Sequence, residues 1–199
     1  MSAESNTPQD LLTKSQLALL DAIGRLSLVL LLPSEPNAQL VTLEKSRSYE
    51  EDHWVASVLL DTSKVSVNFR VHFGTINGRH LMASSFQADP ALLSPEHVLD
   101  FLTEYCNLVM GHIKGALAGD LGEEALKTVF LPKLDPSYDN YKIIPTGLVK
   151  VIEERWWSFT WPDNGEVFIY AQVKSVTGFS DATFKSLATA HQMPELDFA

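Results

Sequence analysis

The chain has 199 residues, 45% of them apolar and 20% charged, which suits one folded domain with a substantial core and argues against disorder throughout. Its formal net charge is −10 at pH 7 and no cluster of Lys and Arg interrupts that balance, so nucleic acid and anionic membrane are disfavoured as general partners. A single cysteine, Cys106, leaves no internal disulfide and no Cys-based zinc site, in keeping with a reducing compartment.

Residues 1–7 are polar and read as a flexible N-terminus, without the basic start and cleavable apolar core of a signal peptide. Thr7-Pro8-Gln9-Asp10 opens an amphipathic helix whose apolar face, Leu11, Leu12, Leu19, Leu20, Ile23, Leu26 and Leu30, runs to about residue 32. The most apolar run, 26–32, follows Asp21 and Arg25 and stops at Pro33, too short to span a bilayer. A soluble cytoplasmic protein with no membrane association is expected. Residues 38–43 suit a short strand and 44–52 an exposed loop.

Segments 54–60, 65–73 and 79–86 read as strands. In the second, Val65, Val67, Phe69, Val71 and Phe73 alternate with Ser66, Asn68, Arg70 and His72, so one face is expected in the core and the other in water. Asn77-Gly78 is a type I′ turn signal, and a two-residue turn there predicts Phe73 opposite Met82 and Phe69 opposite Phe86. That register puts His72 and His80 on opposite faces, so His53, His72 and His80 are read as surface or structural histidines and not as metal ligands.

Ser94-Pro95-Glu96 is a strong helix start: a side-chain cap, a fixed φ at the first helical position, and an acid at the positive end of the dipole. Over 95–118, Val98, Leu99, Phe101, Leu102, Tyr105, Cys106, Leu108, Val109, Ile113 and Leu117 recur at helical spacing, which favours a buried Cys106 thiol. Between them Asp100, Glu104, Asn107, Gly111 and Lys114 step by four and three residues and stack in one stripe, expected to face water. Asn107 and Gly111 each cost roughly 0.5 to 1 kcal/mol against alanine in mid-helix, so helix stability alone does not select the stripe.

Gly119 and Gly122 break the helix, 123–128 suits a further turn or two, and Pro132, Pro136 and Pro145 enforce an irregular crossing. Segments 148–161 and 166–174 form a second hairpin around Pro162-Asp163-Asn164-Gly165. Trp156, Trp157, Phe159, Trp161, Phe168 and Tyr170 make it aromatic on both faces. One face is read as core and the other as covered by the terminal helix, ahead of a dimer or partner surface. Residues 181–192 suit a short closing helix and 193–199 a loose tail. The order of elements implies an α+β fold, a mostly antiparallel sheet with long helices packed on one face. The reading is one domain over 8–175 and a C-terminal extension over 176–199.

No dinucleotide or phosphate-binding glycine loop, no Gly-x-Ser-x-Gly elbow and no His-Glu-x-x-His pair is present. Taken on spacing alone, Glu104 and Asn107 are an ordinary exposed polar face. In context, Glu-x-x-Asn-x-x-x-Gly on a helix between two antiparallel sheet segments resembles the CheX/CheC/FliY family of chemotaxis phosphatases. The single copy of the pair is more like CheX than CheC, and the leading helix and the closing Trp-rich hairpin are also similar to CheX, over about three quarters of the chain.

The resemblance implies a phosphatase that removes the aspartyl phosphate of a CheY-type response regulator in bacterial chemotaxis or two-component signalling. It makes Asn107 the residue that orients the attacking water and Glu104 the anchor to the receiver's active-site lysine, with Asp100, Gly111 and Lys114 on the partner face. This chain is then expected to hold no cofactor or metal, since Mg²⁺ sits in the receiver. Two departures stand out: the family carries a further helix between its first sheet segment and the motif helix, where only 87–94 intervenes here, and 176–199 is extra. The alternatives are a noncatalytic interaction module of the same shape and a secretion chaperone holding an extended client. Homodimerisation is expected to run through the aromatic hairpin extending its sheet across two chains.

Overall fold

The computed structural model describes residues 7–31, 37–44, 53–122, 133–135, 152–162, 165–175 and 177–192. The expected elements at 123–128 and 148–151, and the tail at 193–199, lie outside the described residues. Helix α1 spans Pro8–Leu31 and starts where Thr7 and Asp10 bond reciprocally: the Thr7 N–H donates to Asp10 Oδ2 at 2.9 Å and the Asp10 N–H to Thr7 Oγ1 at 3.2 Å. Strand β1 is Gln39–Leu43, β2 His53–Asp61 and β3 Val65–Gly74. Thr62 closes the β2–β3 turn, its hydroxyl donating to the Val65 carbonyl at 2.8 Å and accepting from the Val65 N–H at 3.0 Å.

After β3 the chain departs from expectation. Thr75–Phe86 is a helix, α2, and not the second strand of an Asn77-Gly78 hairpin. The reason lies in the sheet. β3 is already paired antiparallel to β2 on one side and to β6 (Gly165–Ser175) on the other, so no ladder is free for a returning strand. Phe73 stands opposite Trp54, and Phe69 between Val58 and Ala171, in place of Met82 and Phe86. Gly78 serves close packing: a Cβ there would lie 2.7 Å from Val98 Cγ1 and 3.0 Å from Phe73 Cδ2. Helix α2 fills the gap that the sequence left between the first sheet segment and the motif helix.

A single 3₁₀ turn, Pro90–Leu92, leads to α3, Pro95–Leu121. Its start is the expected one: the His97 N–H donates to Ser94 Oγ at 3.3 Å, and the Ser94 N–H donates to His97 Nδ1 at 3.4 Å. Short β4 (Lys133–Asp135), β5 (Ile152–Trp161), β6 and α4 (Asp181–Thr189) follow. The strands form one six-stranded antiparallel sheet in the order β1-β5-β6-β3-β2-β4. The fold is α+β, as expected.

One face of the sheet, with Ala56, Val58, Val67, Phe69, Val71, Phe159, Val167, Ile169 and Ala171, packs under the helices and forms the core with Leu19, Ile23, Leu26, Leu102 and Val109. The other face is wet only in part: Ser66 and Asn68 are half-buried and Leu59 is exposed. Arg70, His72, Ser158 and Gln172 are buried on it, beneath aromatic contacts that tie three strands: His72 to Trp156 at 4.9 Å, Trp156 to Tyr170 at 4.7 Å, and the Arg70 guanidinium 5.4 Å from the Tyr170 ring. The terminal helix does not cover this face, because α4 packs on α1 and α3. Both strands of the aromatic hairpin are interior to the sheet, β6 between β5 and β3 and β5 between β6 and β1, although among the described residues β1 pairs only with Trp156 to Thr160 of β5.

Candidate functional site

Helix α3 is held by its apolar side. Val98, Leu102, Cys106, Val109, Ile113 and Leu117 are buried, and the Tyr105 hydroxyl donates to the Ser27 carbonyl at 3.1 Å, fixing α3 against α1. Burial pushes the Cys106 thiol far up, as the apolar spacing around it implied, and the group is no nucleophile at neutral pH. The rotation of the helix is thereby set, and the opposite face turns outward.

On that outward face Asp100, Glu104 and Gly111 are exposed, while Asn107 and Lys114 are half-buried. Glu104 and Asn107 meet one turn apart, with Asn107 Nδ2 3.5 Å from Glu104 Oε2. Asn107 Oδ1 is buried and finds no hydrogen-bond partner among the described residues. A buried acceptor without a partner is uncommon and costs about 1 to 3 kcal/mol, which marks the position as set for something other than stability. Nothing lies within 4 Å of a Cβ built at Gly111. The stripe predicted from spacing is therefore one surface, with Asn107 sunk at its centre.

Beside Asn107 the site has a second wall. An open cleft of about 580 Å³ is lined by Glu104, Asn107, Leu108, Gly111, His112, Gly115 and Ala116 of α3 on one side and by Ser186, Thr189, Ala190 and Gln192, in and just after α4, on the other. The α4 side was missed by sequence reasoning. The capping signal at Ser180 and the apolar Phe184 and Leu187 announce a helix, but nothing local says that it lies beside α3.

Several contacts place it there. The Ser180 N–H donates to Asp120 Oδ2 at 2.9 Å, Arg25 Nη2 donates to the Leu187 carbonyl at 3.2 Å, and Thr183 and Leu187 are buried. The Phe179 N–H donates to Ser15 Oγ at 2.9 Å, and the Lys14 ammonium stands 5.5 Å over the Phe184 ring.

His53, His72 and His80 do not contribute to this surface, whereas His112 of α3 lines the cleft. His80 is exposed on α2, while His53 and His72 meet on the far face of the sheet, His53 Nε2 3.0 Å from His72 Nδ1. Among the described residues no three His, Cys, Asp or Glu side chains gather in a way that would hold a metal ion, and no helix is long and apolar enough to cross a membrane.

No protein-family model and no curated protein matches the chain. Solved structures are similar to it at low identity. The Borrelia burgdorferi structure of a CheX–CheY–BeF₃–Mg²⁺ complex matches at 18% identity and TM-score 0.45, covering 79% of this chain and 95% of that one. A CheC-like protein from Shewanella sp. PV-4 matches at 15% identity and TM-score 0.49, again over 79% and 95%. Thermotoga maritima FliY matches at 13% identity and TM-score 0.46, over 94% and 98%. The likeness is one of fold, to chemotaxis proteins, and it assigns no activity to any residue.

Proposed function

We propose that this chain docks a phosphorylated CheY-type receiver domain on the outward stripe of α3 and accelerates hydrolysis of its aspartyl phosphate. The observation that carries the reading is Asn107: a carboxamide beside a carboxylate, its Oδ1 sunk at the edge of an open cleft without a partner. An acyl phosphate is already activated, so a phosphatase acting on it must chiefly place a water in line with the bond to be broken. Asn107 suits that task once its side chain turns to bring the buried Oδ1 to the cleft, because an amide can accept from the water and donate to a phosphoryl oxygen at once.

The water oxygen bonds to phosphorus as the P–O bond to the aspartyl carboxylate breaks. The carboxylate leaves as an anion, and the water's proton passes to the departing phosphate. Glu104 pairs with the receiver's active-site lysine, while Asp100, Gly111 and Lys114 frame the contact. The Mg²⁺ that neutralises the phosphoryl charge belongs to the receiver.

The test follows decay of a ³²P-labelled CheY-type receiver with Mg²⁺, alone and with wild-type, Asn107→Ala or Glu104→Ala protein. Wild type is expected to accelerate decay. Asn107→Ala should remove about a hundredfold of that acceleration, the usual loss for one preorganised polar group, and Glu104→Ala should raise the receiver concentration needed. Both side chains lie outside the core, so circular dichroism should be unchanged. Receivers that bind but decay at their own rate would sink the phosphatase and leave a noncatalytic docking module.

A further inference from the structure

The cleft beside Asn107 is built by two helices, and only one of them carries the stripe. Among its lining residues Glu104 is the one acid and there is no Lys or Arg; Glu104 and His112 stand at the α3 wall, whereas the α4 wall presents the uncharged Ser186, Thr189 and Gln192. The floor between them is kept low by glycine. A Cβ at Gly111 or at Gly115 would meet nothing within 4 Å, so packing within this chain does not require glycine at either position. Gly119, one turn further along, differs in that a Cβ there would stand 3.9 Å from Thr183 Oγ1 of α4. Each glycine costs about 1 kcal/mol of helix propensity, so two open ones in succession keep the α3 backbone accessible at a cost to the helix itself.

Resting on the receiver-docking reading above, we infer that α4 is the second half of the docking surface and decides which receivers are accepted. A segment of the receiver lies in the cleft against the open backbone of Gly111 and Gly115. Its cationic group meets Glu104, and its uncharged polar groups meet Thr189 and Gln192. The charge layout supports this occupant: an acid at one wall and neutral hydrogen-bonding groups along the other complement a lysine-bearing loop and oppose an acidic segment. Thr189 and Gln192 are both exposed, and α4 is tied to α1 and α3 by Arg25, Asp120 and buried Leu187, so the wall is fixed before a partner arrives. Thr189 and Gln192 are specificity-determining contacts and take no part in the chemistry.

Gly115→Leu fills the floor of the cleft, and Gln192→Ala removes one wall contact. Both are compared with wild type and Glu104→Ala, each titrated with a CheY-type receiver in its BeF₃⁻-activated form for binding and in its phosphorylated form for decay. Gly115→Leu should raise the half-saturating receiver concentration about tenfold and Gln192→Ala about threefold, the scale of one lost interface contact, with the rate at saturation unchanged. Gly115→Leu gains helix propensity and meets open space, so a folding defect is not expected, and circular dichroism checks this.

Unchanged half-saturation in both variants, with Glu104→Ala weakened, would place the receiver on α3 alone and overturn the inference while sparing the phosphatase reading. A fall in the saturated rate with unchanged half-saturation would overturn it as well. Wild-type protein that neither binds nor accelerates any receiver would remove the phosphatase reading and this inference together.

Discussion

Single residues on α3 do opposite work according to which way they point. Cys106 and Asn107 are neighbours in sequence, yet the thiol is fully buried and the carboxamide opens on the cleft. Burial holds the thiol protonated and shields it from reagents, which gives a direct prediction. Native protein should resist alkylation by iodoacetamide at pH 8, with labelling appearing only as urea unfolds the chain. Ready labelling of folded protein would mean that α3 is rotated and the stripe misplaced. This pair was legible in the sequence because helical period alone separates position 106 from position 107. The orphaned Oδ1 of Asn107 was not legible, since burial of a single atom depends on packing that helical period does not describe.

At the scale of elements, two glycines in consecutive helices separate packing from access. Gly78 of α2 lies where a Cβ would come within 2.7 Å of Val98 Cγ1, whereas Gly115 of α3 faces open space. Gly78→Ala is therefore expected to destabilise the fold by about 1 to 3 kcal/mol through overpacking, and Gly115→Ala to stabilise it by about 1 kcal/mol through helix propensity. Urea midpoints of the two variants should move in opposite directions from wild type; movement in the same direction would remove this account of α2.

Local signals were sufficient for α1 and α3, whose starts are set by Thr7 with Asp10 and by Ser94 with His97. They misled at α2, because an Asn-Gly turn signal is a statement about two residues, whereas the availability of a strand partner is a property of the whole sheet.

For the whole molecule, the far face of the sheet makes stability depend on pH. His72 is 1% exposed, and burial first, then the neighbouring His53 and Arg70, push it down to about 3. Burial lowers His53 in the same direction. A histidine depressed in the folded state is neutral there and protonated when unfolded below about pH 6.5, so the unfolded chain binds the extra proton. Stability is then full above pH 6.5 and falls with pH through the window from 6.5 towards 3. From pH 6.5 to 5.0, above the range where carboxylates dominate, the loss from His72 should be about 2 kcal/mol, at roughly 1.4 kcal/mol per pH unit. Urea titrations at pH 7.5, 6.5 and 5.0 measure it, and a flat profile would show that His72 is hydrated and not part of a closed face. Reading Ser66, Asn68, Arg70 and His72 as a wet face followed the alternation correctly but had no view of Trp156 and Tyr170, which arrive from strands nearly a hundred residues later to lie against it.

The sequence by itself determined the class of fold, the two long helices, the strands β2 and β3, the β5–β6 hairpin, and the outward stripe of Asp100, Glu104, Asn107, Gly111 and Lys114 on α3. Each of these rests on period, capping or turn chemistry within a few residues, and such signals act over the same short range in the folded chain. Only the tertiary structure decided that residues 75–86 become a helix, that the second face of the sheet closes over His72, and that α4 lies beside Asn107 to turn an exposed stripe into a walled cleft. Those outcomes depend on which strand edges are already paired and which surfaces remain uncovered once the sheet has formed, and distant segments settle both together.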